Sequence, residues 1–144
     1  MSEHHHRKLE RMYLRAPINR LIFEPTITIG DAEATIAIDV HEKYFHAANA
    51  MHGSVYFKML DDACFFAVAS VVTDVFVLTT SFTTYFTRPI TSGRITSRGK
   101  VVHGGKNVLL AEAEVFGEDG KSIGRGNGAF MKSTIALGPA LGYE

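Results

Sequence analysis

Apolar positions change their period several times along the chain, and each change marks an element. Leu9, Met12 and Tyr13 recur at helical spacing ahead of Pro17, which predicts a short helix over Leu9–Ile18. Leu21–Ile29, interrupted by Pro25, and Ala32–Val40 read as two strands joined at Gly30-Asp31, with Ala34, Ile36, Ile38 and Val40 on one face. His41–His52 has no period and reads as a loop. From Gly53 to about Val72 the chain turns helical again, and apolar side chains cover nearly the whole circumference. Such a helix is buried on most sides. Four strand-like segments follow, Val75–Thr87, Arg94–His103, Asn107–Phe116 and Lys121–Lys132, with turns at Gly104-Gly105 and Gly117–Gly120. Short turns between consecutive strands predict an antiparallel meander. The whole reads as α+β: an antiparallel sheet wrapped around a long central helix, with a short N-terminal helix. One domain is expected over 1–144, with 1–7 and 136–144 flexible.

Composition narrows the function. The chain has 144 residues, 46% apolar and 21% charged, an ordinary globular balance for one core. Its formal net charge is zero, which argues against a nucleic-acid partner, since such proteins carry a basic excess. The single cysteine, Cys64, excludes an intramolecular disulfide and fits a reducing cytoplasm. The longest uncharged apolar run, Ala63–Val72, is about half of the roughly 20 residues a membrane span needs, and no secretory core is visible. His4-His5-His6 are adjacent, so they cannot easily converge on one metal ion; a solvated tail is expected there.

The segment that carries chemistry is His52-Gly53-Ser54-Val55-Tyr56-Phe57-Lys58-Met59-Leu60-Asp61-Asp62. A glycine opens a helix, where free backbone N–H groups and the positive dipole end can hold a developing oxyanion. Asp61 then sits about two turns inside a helix too apolar for a solvated surface, and burying a carboxylate is costly unless it is paired. Asp62, rotated by about 100°, is expected to be the solvated neighbour. Gly53 and Asp61 are eight residues apart, or about 12 Å along the helix, so one helix cannot bring both to one reacting carbon. Two antiparallel copies could, which calls for at least a dimer.

His52-Gly53 followed at this spacing by Leu60-Asp61 resembles the hot-dog-fold acyl-CoA thioesterases of the phenylacetate-pathway type. Tyr85-Phe-Thr-Arg-Pro89 resembles that family's strand end, and Arg98–Lys106 its following hairpin. The resemblance implies hydrolysis of a small, aromatic or medium acyl-CoA. Asp61 would be general base or nucleophile, and Gly53 N–H the oxyanion donor from the other subunit. Thr79 would orient the attacking water, though simple alternation groups it with Ser81, Thr83 and Tyr85, so reaching Asp61 requires a local bend. Two positions depart from the family: Ser54 replaces a second glycine, and His46 stands where Asn or Gln is usual. An imidazole there could donate to the thioester carbonyl, with Asn49 the alternative donor, and His52 either joins the chemistry or caps the turn. Arg88 and Lys106 are the expected contacts to the coenzyme A phosphates. Coenzyme A enters as part of the substrate, so no separate cofactor is expected, and the partner is a second copy, as a dimer or a dimer of dimers.

Competing readings stand beside these. Cys64 fits a small hydrophobe better than a nucleophile. Gly124–Gly128 lies inside a strand, so it reads as close packing and not a phosphate loop. Phe57, Phe65 and Phe66 fit either core or the wall of an acyl pocket. A hydratase using a His–Asp pair and a non-catalytic acyl-CoA-binding module are the alternatives to hydrolysis.

Overall fold

A computed structural model describes residues 2–144. Helix α1 covers Ser2–Arg15. A hairpin follows, β1 (Thr26–Gly30) and β2 (Glu33–Asp39), then the central helix α2 (Gly53–Ala69). The remaining strands are β3 (Val75–Phe86), β4 (Arg94–Gly104), β5 (Val108–Phe116) and β6 (Ser122–Ala136). All six form one antiparallel sheet in the order β1-β2-β4-β5-β6-β3. The sheet wraps one face around α2, and the core lies between them: Ile36, Ile38, Ile95, Ala111, Val115 and Phe130 meet Met59, Leu60, Ala63, Cys64 and Ala67, all essentially without solvent contact. This is the architecture of the hot-dog fold.

The expected meander holds for β4, β5 and β6 only. β3 does not pair with β4; β2 does, and β3 lies beyond β6 at the sheet edge. The connection from β3 to β4, residues 87–93, contains Pro89 and is too long for a tight hairpin turn. It passes the start of α2 instead, where Ile90 O accepts from Met51 N–H at 3.0 Å. The consequence is a twelve-residue edge strand running beside α2, with one hydrogen-bonding edge unpaired within the chain.

Both termini differ from expectation. The histidines are not a mobile tail: α1 begins at Ser2, and His5 and His6 are buried with Leu9, Met12 and Tyr13. His5 simply continues the apolar stripe one turn upstream of Leu9. Its Nε2 contacts Ala69 O and its Nδ1 the Tyr143 hydroxyl, each at 2.8 Å, so a neutral ring is satisfied at both nitrogens. Burial is the main reason its pKa lies below the ordinary value. Tyr143 belongs to the C-terminal segment, which is irregular apart from a short turn at Pro139–Leu141 but is tied to α1 through Arg15–Glu144 as well. The helix stops at Arg15, ahead of Pro17, and Asn19–Phe23 form one wide helical turn where a strand was expected. Glu24, at φ 48°, and Pro25 delay β1 until Thr26.

Candidate active site

Two groups of candidate residues lie at different places along α2. At its N-terminus His52 is the cap: its Nδ1 accepts from Ser54 N–H at 3.0 Å and lies 2.9 Å from Ser54 Oγ. A neutral ring with Nδ1 accepting carries its proton on Nε2. Ser54 is therefore part of the cap. Val55 N–H returns to His52 O at 3.0 Å, which leaves the Gly53 N–H as the free donor of this first turn among the described residues. Gly53 lies close to an aromatic ring: a Cβ there would lie 3.0 Å from Cε1 of Phe86, whose side chain would have to give way.

Beside it opens a cavity of about 440 Å³, lined by His46, Gly53, Tyr56, Phe86, Arg88 and Pro89 among others. The Tyr56 hydroxyl donates to Arg88 O at 2.7 Å and pins the wall. His46 Nδ1 accepts from Ala48 N–H at 3.1 Å, so its neutral ring too holds its proton on Nε2. Asn49 sits in the same turn with φ 61°. The Arg88 side chain pairs with Asp119 at 3.2 Å, both partly exposed.

The second group is Asp61 with Thr79. The Thr79 hydroxyl donates to Asp61 Oδ1 at 2.8 Å. The bend this contact needs is present as a bulge in β3: Thr79 pairs with Phe130 but Ser81 with Ala129, so Thr80 is an extra residue. The bulge resets the alternation, and Thr79, Phe82 and Phe86 all turn toward α2. The Phe82 ring meets Phe57 edge-on at 5.5 Å and lies across Gly126 and Gly128, where a Cβ would come within 2.6 and 2.5 Å of it. The glycine run in β6 is thus a seat for an aromatic ring.

Asp61 is half-buried on the open flank of α2. Burial pushes its carboxyl pKa from the ordinary 3.8 up to about 6; the Thr79 hydrogen bond works against this, the Asp62 charge adds to it and Lys58 opposes it. Cys64 is fully buried, and burial pushes its thiol up, so it is inert as a nucleophile.

Asp62 is not the solvated residue expected. Its carboxylate is 17% exposed, accepts from the Tyr13 hydroxyl at 2.8 Å and pairs with Lys58, itself 13% exposed. A helical rotation of about 100° carries it away from Thr79 but toward α1, which the sequence did not place there. Lys106 stands apart from both groups within the chain. It lies in the β4–β5 turn, and β5 runs about 25 Å from there to the end that neighbours Arg88. Within one chain Arg88 and Lys106 do not face the same cavity. Sequence reasoning missed Lys58, although its i,i+4 spacing to Asp62 was legible, and missed Tyr13, whose contact spans 49 residues. Among the described residues no cluster of His, Cys, Asp and Glu is arranged to hold a metal ion, and no helix is long and apolar enough to cross a membrane.

A half-buried carboxylate and a helix N-terminus with a free donor thus lie on one central helix of a hot-dog fold. The sequence profile of the thioesterase superfamily matches residues 48–123, more than half the chain, and the chain belongs to that superfamily. Among solved structures it is similar to the PaaI protein of E. coli, from the phenylacetic acid degradation operon (18% identity, 95% of this chain and 99% of that one, TM-score 0.85). A protein of the thioesterase superfamily solved by structural genomics shares 24% identity over 89% of this chain and 98% of its own, with TM-score 0.81. A thioesterase of Staphylococcus aureus shares 20% identity over 77% and 95%, with TM-score 0.73. No functionally curated protein matches the chain in sequence.

Proposed function

We propose that the protein hydrolyses acyl-CoA thioesters at a site completed between two antiparallel copies, with Asp61 as general base. The observation that carries this reading is Asp61 itself: a half-buried carboxylate with a raised pKa, held by the Thr79 hydroxyl and facing the open flank of α2. A base near neutrality that is poised but not neutralised by a cation is what activation of water needs. Thr79 donates its proton to Oδ1, so its oxygen lone pairs are available to orient a water toward Oδ2.

The missing oxyanion donor comes from a second copy. Midway between Gly53 and Asp61 stands Phe57, 41% exposed, packed on Phe82 near the middle of the edge strand β3. A two-fold axis passing here would pair β3 with its copy and lay Gly53 of one helix beside Asp61 of the other. Water then attacks the thioester carbon and gives its proton to Asp61. The oxyanion rests on the Gly53 N–H of the second copy, with the His46 Nε2–H beside it. Collapse breaks the C–S bond, the proton passes from Asp61 to the departing thiolate, and the free acid and CoA thiol result. His52 holds the cap, Arg88 offers a charge to the CoA phosphates near the cavity mouth, and Phe57 and Phe65 bound an acyl pocket suited to small, aromatic or medium groups. Membership of the thioesterase superfamily supports the thioester class.

Release of free thiol from a panel of acyl-CoAs tests this. Wild-type protein should turn over at least one, and Asp61→Asn should abolish that turnover. Full activity in Asp61→Asn would overturn the assignment. Loss of enoyl-CoA absorbance without thiol would assign a hydratase instead, and tight binding without turnover a binding module.

A further inference from the structure

Lys58 is three residues before Asp61 and four before Asp62, so on a helix it neighbours both. It is committed to Asp62. Two elements outside the sheet secure that choice. Tyr13 of α1 donates its hydroxyl to Asp62 Oδ2 at 2.8 Å, and its ring lies 5.3 Å from the Lys58 ammonium. Phe23, in the turn after α1, places its ring 5.0 Å from the same ammonium. Lys58 therefore sits in a cage of two aromatic faces and one carboxylate, largely out of water. Burying such a pair gives little or no net stability compared with apolar packing, so its presence asks for another reason.

The reason lies one residue away. An ammonium within reach of Asp61 favours the charged carboxylate and makes it a weaker base. The ionisable groups around Asp61 are few: Lys58, Asp62 and the Cys64 thiol from α2, and the Tyr13 phenol from α1. β3 contributes only the Thr79 hydroxyl there. Lys58 is thus the single cation that could neutralise Asp61 from within the chain, among the described residues.

We propose that Asp62, Tyr13 and Phe23 are positioning residues that hold the Lys58 ammonium away from Asp61 and so keep Asp61 a strong enough base for hydrolysis. The N-terminal helix and its following turn then have a chemical role as well as a packing one. This rests on Asp61 being the base proposed above, yet the ionisation of Asp61 can be read without any substrate.

The test is the midpoint of the Asp61 carboxyl, followed by 13C NMR of the full chain and assigned by its absence in Asp61→Asn. In Asp62→Asn, Lys58 is released toward Asp61 and a repelling charge is lost, so the midpoint should fall by about one pH unit. Adding Lys58→Met in that background should restore at least half of the fall. The acid limb of kcat/KM should follow the same order, a movement that general loss of packing would not produce. Tyr13→Leu with Phe23→Leu keeps every charge and removes both aromatic faces together with the hydroxyl on Asp62. It should lower the midpoint in the same direction, and it serves if Asp62→Asn does not fold. An unmoved midpoint in either folded variant overturns the proposal. So does a fall that Lys58→Met leaves undiminished, because the lost Asp62 charge alone would then explain it. Retained hydrolysis in Asp61→Asn would instead end the functional reading, and the NMR result would stand apart from it.

Discussion

Replacing Asp61 by asparagine should make the protein more stable as well as inactive, and the gain should depend on pH in a defined way. The folded carboxyl titrates at about 6 against an ordinary 3.8, a rise of about two units. A carboxyl raised in the folded state binds its proton there more tightly than in the unfolded chain. The folded state therefore loses stability as pH rises from the unfolded value through the folded one, and the loss is complete above about 6. At about 1.4 kcal/mol per unit the full effect is about 3 kcal/mol. Asp61 is partly open to water, which screens the charge, so about 2 kcal/mol is the expected size. The amide of Asp61→Asn can still accept from Thr79 and carries no charge to bury. Urea unfolding at pH 8 and pH 5, at one protein concentration, measures it. The variant should exceed wild type by about 2 kcal/mol at pH 8 and by clearly less at pH 5. A gain that is the same at both pH values, or a wild type that is the more stable at pH 8, would refute the reasoning.

Three further outcomes follow from the same geometry. Thr79→Ala removes the hydrogen bond that favours the charged carboxylate, so the acid limb of the rate profile should move to higher pH and kcat should fall at least tenfold, as pH–rate curves would show. Gly53→Ala places a methyl against the Phe86 ring, which must give way beside the oxyanion donor; thiol release should drop while thermal midpoint changes little. Gly128→Ala drives a Cβ within 2.5 Å of the Phe82 ring and 2.7 Å of Ser81 O, and should cost about 1–3 kcal/mol by urea unfolding through overpacking.

Local features were legible in the sequence and long-range ones were not. The apolar circumference of α2 identified the central helix, and the spacing of Gly53 and Asp61 along it led to the proposal of a site completed by a second copy. Both follow from positions within one helix. The place of β3 at the sheet edge could not be read, because strand order depends on which edges meet after the chain has crossed α2. The bulge at Thr80 was hidden for a different reason. Thr79-Thr80-Ser81 offers three small polar residues in a row, and their pattern does not show which of them is the extra one. Asp62 was misread because its partner, Tyr13, lies on an element 49 residues away. The buried stripe of α1 was cut short at Leu9 because histidine does not register as apolar, although a neutral imidazole with both nitrogens satisfied packs as one.

The extra residue in β3 has a consequence for how this site can be inherited. The bulge absorbs Thr80, so that Thr79 and Phe82 share a face although three positions separate them. Losing the Thr80 codon would return β3 to plain alternation with Phe82 still on its glycine seat. Thr79 would then stand two places from Phe82 and still face Asp61, with Leu78 still outward. Descent within this fold can thus shed the bulge in a single in-frame step and keep the chemistry, with no core residue exchanged.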